Sequence, residues 1–157
     1  MVNNLTISDK IMLLKGIDIF ESLSVSELAA IASIAEVTDT PAGQIIIEEG
    51  TFGETMYLII QGEVSVIKEL GKVNEIEIDR IKPGEYCGEM ALFEDVERSA
   101  SIRTELKCNF MVLHKQQFRE IVREYPQIAL EICKVLSGRI RKLHKKIENR
   151  AYCKEEL

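Results

Sequence analysis

Glu89 and Arg98 stand nine residues apart, in Gly88-Glu89-Met90-Ala91-Leu92 and Arg98-Ser99-Ala100-Ser101, and suit the recognition of a phosphorylated sugar. An ionised Glu89 accepts from a sugar hydroxyl in a charge-assisted hydrogen bond, stronger than a neutral one. Arg98 presents a planar fork of donors that matches two phosphate oxygens, which the point charge of a lysine does not. Gly88 has no Cβ, so backbone and ligand can approach closely there, and Ser99 adds a hydroxyl beside the arginine. Met90 to Phe93 holds no helix breaker. One helical turn is expected there, its free N–H groups facing an anion and adding about 0.3 to 1 kcal/mol. Each hydrogen bond to a charged group contributes about 1.5 to 3 kcal/mol net, so two or three of them plus burial of an attached base reach micromolar binding. The plain alternative is an ion pair between Glu89 and Arg98 across an ordinary loop, with Glu94, Asp95 and Glu97 forming a solvated acidic turn.

The run from Gly88 to Thr104 resembles the phosphate-binding cassette of the cyclic nucleotide-binding domain family. Upstream, Ile46-Ile47-Glu48-Glu49-Gly50-Thr51-Phe52-Gly53, then Met56-Tyr57-Leu58-Ile59 and Gly62, has the spacing of that family's β-roll segment, and the similarity extends over residues 17–148. The resemblance implies that Glu89 binds the ribose 2′-hydroxyl and Arg98 the cyclic phosphate. It further implies that Gly88, Met90, Ala91, Ser99 and Ala100 complete the ligand site, and that Val66 and Ile78 lie near the base. For Val66 and Ile78, simple barrel core is an equal alternative. The implied ligand is cyclic AMP, with cyclic GMP the other choice. No cofactor is implied, and the module is regulatory rather than an enzyme, reaching an effector protein through movement of its C-terminal helices. Cys87 departs from the family, which usually has a larger apolar residue there; the resemblance then implies a looser wall behind the cassette.

A scaffold must hold these groups in place. From Gln44 to His114, short β-branched runs broken by Gly50, Gly53, Gly62, Gly71 and Pro83-Gly84 read as an antiparallel roll. Val64 and Val66 alternate to one face, as do Ile76 and Ile78 in the next strand. Before the roll, Ser24 with Glu27 gives a capping-box signal, and Leu28, Ile31, Ile34 and Ala35 share a helical face. After His114 the period turns helical through Phe118, Ile121, Val122 and Tyr125, and Pro126 closes that helix and suits the start of the next. Cys133, Leu136, Ile140, Leu143 and Ile147 form a stripe on the last helix. It either pairs with a second copy, making a homodimer through the C-terminal helix, or packs back on the roll. The expected fold is α+β in one domain, residues 1–157. It comprises an N-terminal helical part at 1–37, an antiparallel β-roll (a jelly-roll-like barrel) at 38–114 and two C-terminal helices within 115–150.

Composition bounds the function. A chain of 157 residues buries about two-thirds of its unfolded surface and needs no staples. Cys87, Cys108, Cys133 and Cys153 form no C-x-x-C pair and do not cluster with His114 and His144, so reduced thiols and a cytoplasmic setting are expected. No signal peptide or membrane span is expected either, since no apolar run exceeds five residues. The net charge of −6 is uneven: residues 138–150 carry +5 through Arg139, Arg141, Lys142, Lys145, Lys146 and Arg150 against Glu148, leaving −11 elsewhere. An anionic ligand must therefore be attracted locally, which raises the weight on Arg98. Nucleic acid is not expected as a partner of this chain alone, because a charge run on a terminal helix is usually a solvated face and no recognition helix follows it. Two other classes compete. One is a docking or oligomerisation protein that keeps the fold without the ligand. The other is a cupin-like metal enzyme, which needs several converging His and carboxylate ligands where the β region offers only His114.

Overall fold

In the computed structural model residues 5–155 are described, with side chains described through residue 149; Arg150 and Cys153 thus fall outside the described side chains. Helix α1 (Ile7–Lys15), a 3-10 turn (Asp18–Phe20) and α2 (Val25–Ile34) precede eight strands: β1 (Glu36–Thr40), β2 (Ile45–Ile47), β3 (Thr55–Gln61), β4 (Val64–Lys68), β5 (Ile76–Ile81), β6 (Tyr86–Cys87), β7 (Ser101–Thr104) and β8 (Cys108–His114). The short helix α3 (Met90–Phe93) interrupts them between β6 and β7, and α4 (Lys115–Glu124) and α5 (Gln127–Glu155) follow. Every strand pairing is antiparallel, in two sheets ordered β1-β8-β3-β6 and β2-β7-β4-β5. This is the α+β roll with flanking helices that the sequence predicts.

The helix starts follow local chemistry. Ser24 Oγ accepts from the Glu27 N–H while the Glu27 carboxylate accepts from the Ser24 N–H at 2.7 Å, the reciprocal box predicted for α2. Thr6 and Asp9 form the same arrangement at α1, and a cap of this kind contributes about 1 kcal/mol. Helix α2 ends at Ile34, so Ala35 is buried in extended backbone rather than on the helical face assigned to it.

Two cores share one wall. Along β3, Met56 and Leu58 face the helices while Ile59 faces the roll interior; along β8, Met111 and Leu113 face the helices while Cys108, Phe110 and Val112 face inward. Strands buried on both sides read as continuous apolar runs rather than alternation. The outer core adds Leu14, Leu28, Ile31, Phe118 and Ile128; the inner adds Ile47, Val64, Cys87 and Ile102. The second sheet is more open, and β5 is exposed over most of its length, so Ile76 and Ile78 do not form the buried face expected of them.

Arg139 of α5 donates to Asp18 and to the Tyr86 hydroxyl, and that hydroxyl donates to Asp18 at 2.7 Å, clamping α5 to the 3-10 turn and β6. Burial pushes the Tyr86 phenol up to about 12. At Asp18 burial acts upward, but the Tyr86 hydroxyl and Arg139 outweigh it and hold the carboxyl below its ordinary 3.8. A depressed acid stabilises the fold above its unfolded value and loses that contribution as pH falls through the folded value. The melting temperature of the wild type should therefore exceed that of Asp18→Asn at neutral pH, and the gap should close on acidification from about pH 7 to about pH 2. A gap that stays constant would remove the clamp's electrostatic role.

Candidate functional site

Arg98 is fixed by its backbone first. Its N–H donates to the Thr51 carbonyl at 2.8 Å and its carbonyl accepts from Gly50 at 2.9 Å, beside an isolated antiparallel bridge between Phe52 and Glu97. The guanidinium then lies across two glycines. A Cβ on Gly53 would sit 1.9 Å from Arg98 Nε, and one on Gly88 would sit 2.6 Å from Nη1 and 2.8 Å from the Thr55 carbonyl. Gly88 also has φ +79°, a conformation that an L side chain rarely adopts. Arg98 Nη2 donates to the Thr55 carbonyl at 2.7 Å and to Thr55 Oγ1 at 3.2 Å, and Nη1 donates to the Gly88 carbonyl at 3.1 Å. All three acceptors are neutral. Burial lowers the guanidinium's pKa, with Tyr57, Cys87 and Glu89 acting the other way, and the group stays charged at neutral pH.

Glu89 occupies the cap position of α3, half-buried, and its side chain makes no capping hydrogen bond. It is near enough for its charge to act on both Arg98 and Cys87. Among the described residues neither Glu89 nor Arg98 belongs to an ion pair. The plain alternative, a loop ion pair between them, is therefore not what the chain forms. A half-buried cation and a half-buried carboxylate stand in one loop region without forming an ion pair, which suits a ligand carrying both an anion and a hydroxyl.

The other predicted site residues fall unevenly. The short helix forms where expected, but the Ala91 N–H is already bonded to the Gly88 carbonyl at 3.2 Å, and Met90 is half exposed. Ala100 is buried and Ser99 exposed, its carbonyl held by Lys68 Nζ at 2.7 Å while the same ammonium pairs with Glu49. Val66 packs against the inner core with Tyr57. Ile78 does not: the register shift between Val66 and Ile67 pairs Val66 with Asp79 and Ile67 with Glu77, leaving Ile78 54% exposed and away from that cluster. Cys87 is buried in the inner core, its thiol pushed up to about 12 by burial.

Sequence reasoning did not find Thr55 or Lys68. Thr55 serves mainly through a backbone carbonyl, which no side-chain type announces, and Lys68 acts from a different strand. Nor does the acidic turn stand wholly in solvent, because Lys115, only 5% exposed, donates to the Glu94 carbonyl at 3.0 Å and pairs with Asp95.

The fold is an antiparallel roll of two four-stranded sheets, and its loop carries a guanidinium and a carboxylate that join no ion pair among the described residues. The sequence profile of the cyclic nucleotide-binding domain matches residues 37–125, and the chain belongs to that family. It is 27% identical over 113 residues to the cAMP-activated global transcriptional regulator CRP of Salmonella typhimurium, covering 71% of this chain and 54% of that one. It is 35% identical over 109 residues to the cAMP-dependent protein kinase regulatory subunit of Eremothecium gossypii, covering 69% of this chain and 23% of the subunit. The chain thus spans about half the length, or less, of these curated relatives. Among solved structures, the N-terminal domain of a transcriptional regulator from Streptomyces coelicolor shares the fold, with TM-score 0.78 at 19% identity, over 86% of this chain and 94% of that one. Among the described residues, no helix is long and apolar enough to cross a membrane.

Gly53→Ala tests the cradle separately from the fold. Gly53 has no positive φ, and the atoms nearest to the added methyl all belong to the end of the Arg98 side chain. We expect the guanidinium to be displaced, nucleotide affinity to fall at least about tenfold, equivalent to about 1.4 kcal/mol, and the melting temperature to stay within a few degrees. Unchanged affinity in calorimetry would show that Arg98 is not needed where it lies.

Proposed function

We propose that this domain is a regulatory module that binds cyclic AMP, with Arg98 taking the cyclic phosphate and Glu89 the ribose 2′-hydroxyl. The observation that carries this reading is the half-buried Arg98 guanidinium, laid across Gly53 and Gly88 on neutral acceptors only, with the half-buried Glu89 following Gly88 in the chain and neither in an ion pair among the described residues. The choice of cyclic AMP over cyclic GMP is supported by the names of the two relatives, cAMP-activated and cAMP-dependent. Gly88 and Gly53 admit the guanidinium, Met90, Ala91, Ser99 and Ala100 frame the phosphate, and Val66 lies on the side of the base. When the phosphate arrives, Arg98 exchanges neutral carbonyl acceptors for an anion.

The signal leaves through α4. Lys115 donates from α4 to the Glu94 carbonyl at the end of α3, so a shift of α3 on binding is passed to α4 and on to α5. Ligand and effector then share one equilibrium. The stripe on α5 divides: Leu136 packs against the outer core, while Cys133, Ile140, Leu143 and Ile147 are exposed, which supports pairing of its outer part with a second copy or an effector in the cytoplasm. No residue of the site pairs a nucleophile with a base, so binding without hydrolysis is proposed.

Calorimetry with cyclic AMP and cyclic GMP decides the reading. At a hundred times its dissociation constant the bound nucleotide should stabilise the fold by about 2.7 kcal/mol in a melting scan, more for cyclic AMP at equal concentration. No shift with either nucleotide would leave a docking protein that keeps the fold.

A further inference from the structure

A concavity lies outside the roll, lined by residues of α3, α4 and α5 and by neither Glu89 nor Arg98. It encloses about 520 Å³ between α3, α4 and α5, within the range of about 300–1,000 Å³ typical of small-molecule sites. Leu92, Phe93, Phe118, Val122, Ile132 and Leu136 form its apolar walls. Its cationic groups are Arg119 and Arg123, one helical turn apart on α4, both exposed. Arg119 makes only a long contact to the Phe93 carbonyl, and the acid that senses it, Asp95, is paired with Lys115. Among the described residues Arg123 is in no ion pair.

We infer that this slot is a binding site for a single-chain amphiphile with an anionic carboxylate head, its chain among the apolar walls and its head between the two arginines. The charge arrangement favours this occupant over a second copy of the chain. The exposed apolar residues of α5, Ile140, Leu143 and Ile147, are interleaved with Arg139, Arg141, Lys142, Lys145 and Lys146, which Arg119 and Arg123 would repel. Two arginine forks instead match a carboxylate.

The test is a calorimetric titration of the full chain with decanoate below its micelle concentration, beside decanol and decyltrimethylammonium. Saturable one-to-one binding of decanoate is expected, with decanol at least about tenfold weaker and the cation not binding. The double variant Arg119→Glu/Arg123→Glu, altering two exposed side chains, should keep the wild-type melting temperature and lose decanoate affinity at least about tenfold. Cys133 is an exposed free thiol on the slot's lining. In a Cys153→Ser background its reaction with a disulfide reagent should slow as decanoate saturates. Equal affinity for the three amphiphiles, an unaffected double variant, or an unprotected Cys133 would each overturn the site. So would a concentration-dependent dimer in sedimentation that decanoate does not compete with and that is abolished by Ala129→Phe, a change on the slot's lining, since the slot would then belong to a second copy. No arm uses cyclic nucleotide, so the outcome stands apart from the function proposed above.

Discussion

Arg98→Leu is expected to weaken cyclic nucleotide binding by more than about a hundredfold. Two charge-assisted hydrogen bonds to a phosphate contribute about 1.5 to 3 kcal/mol each, and about 1.4 kcal/mol corresponds to tenfold in affinity. The fold should survive, because Arg98 joins no ion pair among the described residues and its position in the chain is set by its backbone bonds to Thr51 and Gly50. Calorimetry and a melting scan on the same preparation separate the two effects. Arg98→Lys restores the charge without the fork and should fall between. Wild-type affinity in Arg98→Leu would move the phosphate elsewhere and end the assignment of Glu89 with it.

The second large effect is on stability. Phe118 is buried with its ring centroid 6.3 Å from that of Phe20 and 6.0 Å from that of Phe93, the latter edge-on at 83°. Phe118→Ala should cost about 3 to 5 kcal/mol through lost transfer energy and the cavity left behind. Against a total stability of about 5 to 15 kcal/mol that is a large share. A denaturant titration should show a lower midpoint with an unchanged slope. Since Phe93 belongs to α3, the same variant should also weaken nucleotide binding, though less than Arg98→Leu. A stability loss below about 1 kcal/mol would show that the ring is not a filled core position.

What could be read in advance followed from how local the physics is. The Ser24–Glu27 box and the helical turn after Gly88 depend on neighbours within a few residues, and they formed as expected. Glu89 and Arg98 stand out in the sequence because charge type and spacing suggest a chemistry, and the structure places both half-buried with neither in an ion pair among the described residues. Ile78 was misplaced in expectation because alternation along β5 assumes unbroken pairing with β4, and a register shift between Val66 and Ile67 depends on both strands at once. The Arg139 clamp joins residues 121 apart in sequence to Asp18, and no period or motif marks such a pairing. The cradle of Arg98 relies on the Thr55 carbonyl, an atom every residue owns.

The wall of β3 and β8 leaves little room for drift. A change of volume at Phe110 or Val112 presses on the roll interior, and its neighbours Met111 and Leu113 stand in the opposite core on the same backbone, so a shift made to accommodate one disturbs the other. In a library of random variants, that partition should tolerate the fewest exchanges outside the cassette, while β5, with Ile76 and Ile78 open to solvent, should accept nearly any hydrophilic replacement.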